Sequence, residues 1–308
     1  MTPGVLILTG QTASGKSALA LELAERFDAE IVGADSRQIY RGMPIGTAAP
    51  SARDLGRVRH HLVGFLDPRE RYSAARFVTD ALAAIDDIHA RRKRALIVGG
   101  TGFYVRALSG DVNLSAAYDS ALRDRLAHEA RVHPTEVLAD WLRAVAPARA
   151  AMLAPNDPYR ITRALEIALT ERDPGRRRSD EPNPGETPNL RARGIASRKL
   201  FLEIAPDDLE RRVAARVDAM LAAGLADEAE RIGAGALAAD AVGYREALAF
   251  LAGWSTRDEL RAQLIRNTRR YAKRQATWFR IEPDLTRIPA DRALDAAARL
   301  AGALPGWA

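Results

Sequence analysis

The sequence predicts an α/β protein: a parallel sheet that carries a phosphate loop, with an all-helical subdomain inserted into it. Three observations predict this. Residues 10–17 read GQTASGKS, the pattern G-x-x-x-x-G-K-[ST], with a short apolar run before it and helical spacing after it. Two more short apolar runs, at 30–34 and 95–98, each end in a polar or glycine-rich turn. Residues 113–171 carry helical patterning and no strand candidate.

The elements follow in order. Val5-Leu6-Ile7-Leu8 is apolar and rich in branched side chains, as a buried parallel strand should be. After Lys16, the residues Leu19, Leu23 and Phe27 recur at helical spacing. The second strand, 30–34, runs into ADSRQIY, and the third, 95–98, into GGTGFY. Asn156-Asp157-Pro158 starts a helix, with Pro in its first turn. Residues 172–198 are rich in Pro, Gly and Arg and read as a mobile loop or linker. Residues 199–204 form a returning strand, and Asp207 caps a helix through Met220 that Gly224 stops. The expected organisation is a core of 1–112, an insertion with linker at 113–198, and the rest of the core at 199–308.

The phosphate loop has a direct physical meaning. Gly10, Gln11, Thr12, Ala13, Ser14, Gly15, Lys16 and Ser17 form a turn whose N–H groups point inward, at the positive end of a new helix. Lys16 adds a point charge, and Ser17 a hydroxyl suited to Mg²⁺. Chemistry in parallel sheets collects at the carboxyl ends of strands, and Asp35 and Thr101 fall just past two of these. A carboxylate beside phosphates serves as a general base, a metal ligand or a helix cap, and the base reading is preferred. Thr101 is placed to hydrogen-bond that carboxylate or an acceptor. The strand ending at Val98 runs into Gly-Gly, where a phosphoryl-transfer enzyme normally carries a Mg²⁺-binding Asp.

Charge points to a polyanion. The formal charge is +6. In RNTRRYAKRQATWFR, residues 266–280, six of fifteen residues are Arg or Lys and none is acidic. Arg266, Arg269, Arg270, Lys273 and Arg274 fall on one helical stripe, facing RNA or diphosphate. The adjacent His60 and His61 lack metal spacing and read as structural. The absence of cysteine excludes disulfides, thiolate metal sites and thiol catalysis. No apolar run is long enough to span a membrane, and the first residues lead straight into the phosphate loop, so a cytoplasmic protein is expected.

The chain closely resembles the bacterial tRNA dimethylallyltransferases, also called isopentenyl-tRNA transferases. The resemblance rests on GQTASGKS (10–17), ADSRQIYRGMPIGTAAP (34–50), HHL…DP…YSAARF (60–77), GGTGFYVRAL (99–108), PNDPYRITRALEI (155–167), VGYREAL (242–248) and TRRYAKRQATWFR (268–280). Gln11 stands where the family usually has Pro.

That resemblance implies a P-loop NTPase-like core, an inserted helical domain that grips the tRNA anticodon stem-loop, and Mg²⁺ near Ser17. It implies transfer of a dimethylallyl group from dimethylallyl diphosphate to the exocyclic amine of the adenosine next to the anticodon. By the same resemblance, Asp35 is the base, with Thr101 beside it. Thr12, Ser14, Gly15, Lys16 and Ser17 hold the diphosphate. Arg123 reaches diphosphate and tRNA. The tRNA-contacting stretches are Asp35, Ser36, Arg37 and Gln38; Tyr159, Arg160, Ile161, Thr162 and Arg163; and Asp240, Ala241, Val242, Gly243, Tyr244 and Arg245. A monomer is expected. Rival readings are a P-loop small-molecule kinase, an adenylate isopentenyltransferase and a non-catalytic RNA-binding module.

Overall fold

A computed structural model describes residues 2–112, 114, 120–172 and 188–307. The chain divides into two compact units, Met1–Val112 with Pro188–Ala308, and Asn113–Thr187.

The first unit is built on a sheet of six parallel strands among the described residues, in the order β3-β2-β4-β1-β5-β6. These are β1 (Val5–Gly10), β2 (Ala29–Gly33), β3 (His60–His61), β4 (Arg94–Val98), β5 (Ser197–Glu203) and β6 (Leu285–Pro289). β1 is central and buried along its whole length, which is why its sequence is a continuous apolar run. It pairs in parallel with β4 (Val5 opposite Ala95) and with β5 (Gly10 opposite Leu202). The phosphate-loop strand therefore lies between the strand leading to Thr101 and the strand returning from the insertion.

Helices cover the sheet: α1 (Lys16–Arg26), α2 (Pro44–Thr47), α3 (Ala52–Arg57), α4 (Ala74–Ala90) and α5 (Gly102–Ser109) before the insertion. After it come α10 (Pro206–Ala222), α11 (Leu225–Ile232), α12 (Tyr244–Leu251), α13 (Arg257–Arg280) and α14 (Ala293–Ala301). One core packs α1 and α14 against β1 and β5 through Leu19, Leu23, Leu200, Ala297 and Trp307. A second lies under the loop after β2, where Ile39, Tyr40 and Met43 meet Val217, Tyr244 and Leu264.

The second unit holds α6 (Ser120–Val132), α7 (Thr135–Val145), α8 (Pro147–Ala150) and α9 (Pro158–Arg172). Its described residues are helical, around a core of Leu122, Leu126, Leu138, Leu142, Ile161 and Leu165. α9 starts at Pro158, and Asp157 Oδ1 accepts from the Arg160 N–H at 3.0 Å as its cap.

Several expectations are corrected. Asp207 is no cap: α10 begins at Pro206 after Ala205, and Asp207 and Asp208 occupy its first turn, where the helix dipole favours them. Gly224, with φ 90, does stop α10, which ends two residues beyond the expected Met220, and it also starts α11. Residues 188–198 belong with the first unit: the Leu190 N–H donates to Leu108 O at 2.9 Å, and Arg191 pairs with Asp111 at 2.5 Å. Residues 173–187 of the expected linker lie outside the described residues. β6 has no counterpart in the sequence reading. It is an edge strand that buries only Ile288 and ends on Pro289, which an edge tolerates.

Where the chain leaves the first unit, a buried ionic group pins the end of α5. Lys199 Nζ donates to Asp111 Oδ2 at 2.7 Å and to Glu282 Oε1 at 2.8 Å. Arg106 Nε donates to Glu282 Oε2 at 2.6 Å. Each buried charge meets an opposite one, as burial requires.

Candidate active site

The turn after β1 folds as the motif demands. Ser14 N donates to Gln11 O at 3.2 Å. Ala13 (φ 63) and Gly15 (φ 97) both take the left-handed conformation that turns successive N–H groups toward one concavity. Gly15 caps α1, so the helix dipole opens on that concavity. Ser14 Oγ is buried without a partner. Lys16 Nζ donates to Gln11 O at 3.3 Å.

Two neighbouring strand ends are stitched together. Beyond β2, Ala34 N donates to Val98 O at 2.8 Å, and Thr101 N to Ala34 O at 3.3 Å. Thr101 Oγ1 accepts from Ser36 N at 3.0 Å and donates to Ser36 Oγ at 3.3 Å. The hydroxyl thus holds the residue after Asp35, and its protein partner is Ser36, not the Asp35 carboxylate.

Asp35 Oδ1 accepts from Arg37 N at 2.9 Å and Gln38 N at 3.4 Å, closing an Asx turn that fixes the carboxylate. So the cap reading holds for one oxygen, on a turn and not on a helix. Oδ2 takes no hydrogen bond from the described residues. Gln38 Nε2 donates to Thr47 O at 3.1 Å and Ala48 O at 3.0 Å, tying this turn to α2.

Electrostatics places Asp35 with the phosphate loop. Burial holds the Lys16 ammonium down to a pKa of about 8; Asp35 opposes this and Arg216 adds to it. Burial likewise lowers the pKa of the Arg216 guanidinium, and Asp35 opposes it too. Burial raises the phenols of Tyr271 and Tyr104, and the Asp35 charge contributes to both. The Asp35 carboxylate and these two cations, all half-buried, are therefore electrostatic neighbours, with the two tyrosines close by.

Arg216, on α10, was not read from the sequence. Its Nη2 donates weakly to Thr47 O at 3.4 Å, and its buried Nε has no partner. A half-buried guanidinium with an unpartnered Nε beside a phosphate loop is suited to hold an anion. Its sequence context, RRVAARVDAM, gives no signal beyond an ordinary charged helix face. Arg212, one turn earlier, donates to Ser14 O at 3.0 Å and braces the loop.

α13 lies against this pocket, and its basic residues divide. Arg269 is paired with Glu210 at 2.6 Å, and Arg274 lies over the Tyr271 ring at 5.6 Å. Arg266, Arg270 and Lys273 line a groove of about 790 Å³ that also reaches Gln11 at the loop crown. Trp278 is stacked by Arg106 at 4.8 Å. Gln275 is buried and belongs to the site's frame rather than to the stripe.

The other sequence-read residues fall as follows. Arg37 makes a fork to Asp240 at 2.7 and 3.2 Å, joining two of the stretches read as tRNA-contacting. Arg245 is exposed. Tyr244 is fully buried, and its hydroxyl donates to Glu228 Oε1 at 2.6 Å, so its side chain holds α2. Ala241 and Gly243 are also buried, and Val242 is half-buried. In the helical unit, Tyr159 is 80% exposed and Arg160 is exposed, whereas Ile161 is in the core. Thr162 Oγ1 donates back to Pro158 O at 2.8 Å. Arg123 makes a fork to the buried Glu166 at 3.0 and 2.9 Å, and Arg163 pairs with the same carboxylate at 2.6 Å. Both arginines are thus engaged inside that unit.

His61 Nε2 meets Glu30 Oε2 at 2.7 Å, and His60 Nδ1 meets Val58 O at 2.8 Å, so both are structural. Among the described residues, no group of three His, Cys, Asp or Glu side chains could hold a metal, and no helix is long and apolar enough to cross a membrane. A cation here would lean on Ser17 and on phosphate oxygens and water, which is how Mg²⁺ is usually held.

A phosphate loop with a fixed carboxylate and a half-buried guanidinium beside it, on a P-loop NTPase-like sheet, fits an enzyme that acts on a phosphorylated substrate. Comparison with known proteins narrows this. The sequence model of the IPP transferase family matches residues 38–282, and the chain belongs to that family. It is 42% identical over 284 residues to the tRNA dimethylallyltransferase of Geobacter sulfurreducens, covering 91% of this chain and 89% of that protein. It is also 42% identical to the tRNA dimethylallyltransferase of Halorhodospira halophila, over 99% of this chain and 100% of the other. The crystal structure of the tRNA isopentenylpyrophosphate transferase of Bacillus halodurans superposes with a TM-score of 0.68 at 33% identity, over 97% of this chain and 96% of that one. A eukaryotic dimethylallyltransferase solved acting on tRNA gives 0.74 at 26% identity, over 96% and 77%.

Proposed function

We propose that the protein transfers the dimethylallyl group of dimethylallyl diphosphate to the exocyclic N6 amine of the adenosine 3′-adjacent to the anticodon in tRNA, releasing diphosphate. The observation that carries this reading is the placement of the Asp35 charge among Lys16 and Arg216. Base and leaving-group site are then electrostatic neighbours, and β4 is followed by Gly99-Gly100, with no carboxylate for phosphoryl transfer.

The chemistry follows from the residues. The adenine amine is a weak nucleophile because its lone pair is delocalised into the ring. As the N6–carbon bond forms, Asp35 accepts the amine proton. The allylic carbon–oxygen bond breaks, and the electron pair leaves on diphosphate. Loop N–H groups, Lys16 and Arg216 receive that charge. Mg²⁺, held through Ser17 and the phosphates, supplies further charge neutralisation when bound. The adenosine must leave its stack to enter a walled pocket. Tyr159 and Arg160 offer an exposed ring and guanidinium for RNA, and the groove along α13 offers cations. Action as a monomer in the cytoplasm completes the reading.

The test is transfer of label from dimethylallyl diphosphate to one of three acceptors: an anticodon stem-loop with the adenosine, the same with guanosine there, or free AMP. Label on the adenosine stem-loop alone supports the reading. Label on AMP moves the protein to the adenylate isopentenyltransferases. Consumption of ATP on a small molecule, with no prenyl transfer, returns it to the kinases.

A further inference from the structure

Two loops must keep a fixed separation for this reaction: the one that holds diphosphate and the one that holds Asp35. One side chain ties the first to the turn after β4, and that turn holds the second. Gln275 Oε1 accepts from the Thr12 N–H at 2.7 Å, at the crown of the phosphate loop. Gln275 Nε2 donates to Gly100 O at 3.1 Å, in the turn that continues to Thr101. Thr101 in turn holds Ser36, next to Asp35. Gln275 is 5% exposed, and a Cβ on Gly100 would come within 2.1 Å of its Nε2, so only glycine leaves room for the amide. Gln11 Nε2 adds a second tie from the loop crown to Ala272 O at 3.2 Å.

We propose that Gln275 is a positioning residue for transfer: its carboxamide sets the gap between the diphosphate cradle and the Asp35–Thr101 turn. This deepens the function proposed above and rests on it. The amide accepts at one end and donates at the other without needing to be protonated. Reacting groups displaced by about 1 Å cost on the order of 10²-fold in rate, while each substrate still finds its own contacts.

Gln275→Leu keeps the volume and loses both bonds. It is expected to lower kcat about 10- to 100-fold, with tRNA affinity and the KM for dimethylallyl diphosphate changed less than about threefold. Gly100→Ala breaks the same contact from the other side, so the double variant should be no worse than either single one. Gln275→Glu provides a readout that packing alone would not move. Its neutral acid both accepts and donates, whereas its carboxylate is repelled by Gly100 O. Its activity should therefore recover as pH falls through the carboxyl pKa, a limb absent from the wild type, and the Thr12 amide resonance should follow the same titration. Unchanged kcat in Gln275→Leu, additive losses, a Gln275→Glu profile parallel to wild type, or a loss of tRNA affinity matching the loss of rate would each overturn the proposal. If Gln275→Leu does not fold, the Glu and Gly100→Ala variants decide. A wild type that transfers no prenyl group would sink the reading of the reaction alone, since the Thr12 resonance tests the clamp without turnover.

Discussion

The charge of Asp35, at the end of β2, reaches the ammonium of Lys16, in the loop after β1, although β4 lies between the two strands. Each group needs the other. Without the carboxylate, the buried ammonium would be still easier to deprotonate. Without the loop, the carboxylate would be an ordinary turn cap.

This coupling predicts a pH dependence. Lys16 titrates near 8 in the fold, below its ordinary 10.5. Diphosphate favours the charged form, so binding should take up a proton around and above pH 8, and affinity should fall as pH rises through that value. The unfolded chain holds this proton more tightly, so the same group makes the ligand-free protein more stable as pH rises from about 8 toward 10.5. Calorimetric titration of inorganic diphosphate in buffers of different ionisation enthalpy measures the uptake. Binding with no proton uptake between roughly pH 7.5 and 9 would contradict this coupling.

Arg216 should trade stability for function. Arg216→Met removes a buried cation with an unused donor, so the ligand-free protein should melt at the same or a higher temperature. Transfer should fall by about 10²- to 10³-fold, the cost of losing one charge-stabilising donor. A variant that melts earlier and turns over normally would mean that the guanidinium is structural.

Tyr244 is predicted to matter for stability alone. Glu228 is wholly buried and accepts from Tyr244 Oη, Ile45 N and Gly46 N, at 2.6, 3.0 and 2.8 Å. Tyr244→Phe should cost about 1.5–3 kcal/mol in denaturant unfolding, the worth of a hydrogen bond to a charged group. The tRNA affinity of the folded variant should stay near wild type. A selective loss of RNA binding would restore this residue to the interface.

The α13 groove should carry salt-dependent RNA binding. Changing Arg266, Arg270 and Lys273 to Gln should weaken tRNA binding and reduce the slope of log affinity against log salt by about 2, at roughly 0.7–0.9 per phosphate contact. Arg269 is left out because Glu210 already holds it. An unchanged slope would assign the groove to something other than RNA.

The half of the site that was legible in the sequence is the half that lies in short contiguous motifs. GQTASGKS, Asp35 and Thr101 announce themselves because strand-end chemistry is local in sequence. Gln275 and Arg216 do not. The Thr12–Gln275 bond spans 263 positions, and nothing near Gln275 distinguishes it from the polar face of a basic helix. The α13 stripe was legible, since Arg266, Arg269, Arg270 and Lys273 line one groove, but the carboxylate that neutralises Arg269, Glu210, sits on α10. Tyr244 shows the converse, that a motif records burial as readily as binding: its side chain is fully buried and bonded to Glu228. β6 was hidden because an edge strand needs only one buried side chain.

The most direct test of the central claim is a paired measurement on Asp35→Asn: tRNA affinity, and single-turnover transfer from dimethylallyl diphosphate to an adenosine stem-loop. Asparagine keeps an acceptor for the Arg37 N–H and so keeps the turn, but it cannot take the amine proton. The account predicts wild-type RNA affinity with transfer slowed about 10²- to 10⁴-fold. Transfer at the wild-type rate with the turn intact would show that Asp35 is only a cap, and that the proton leaves by another route.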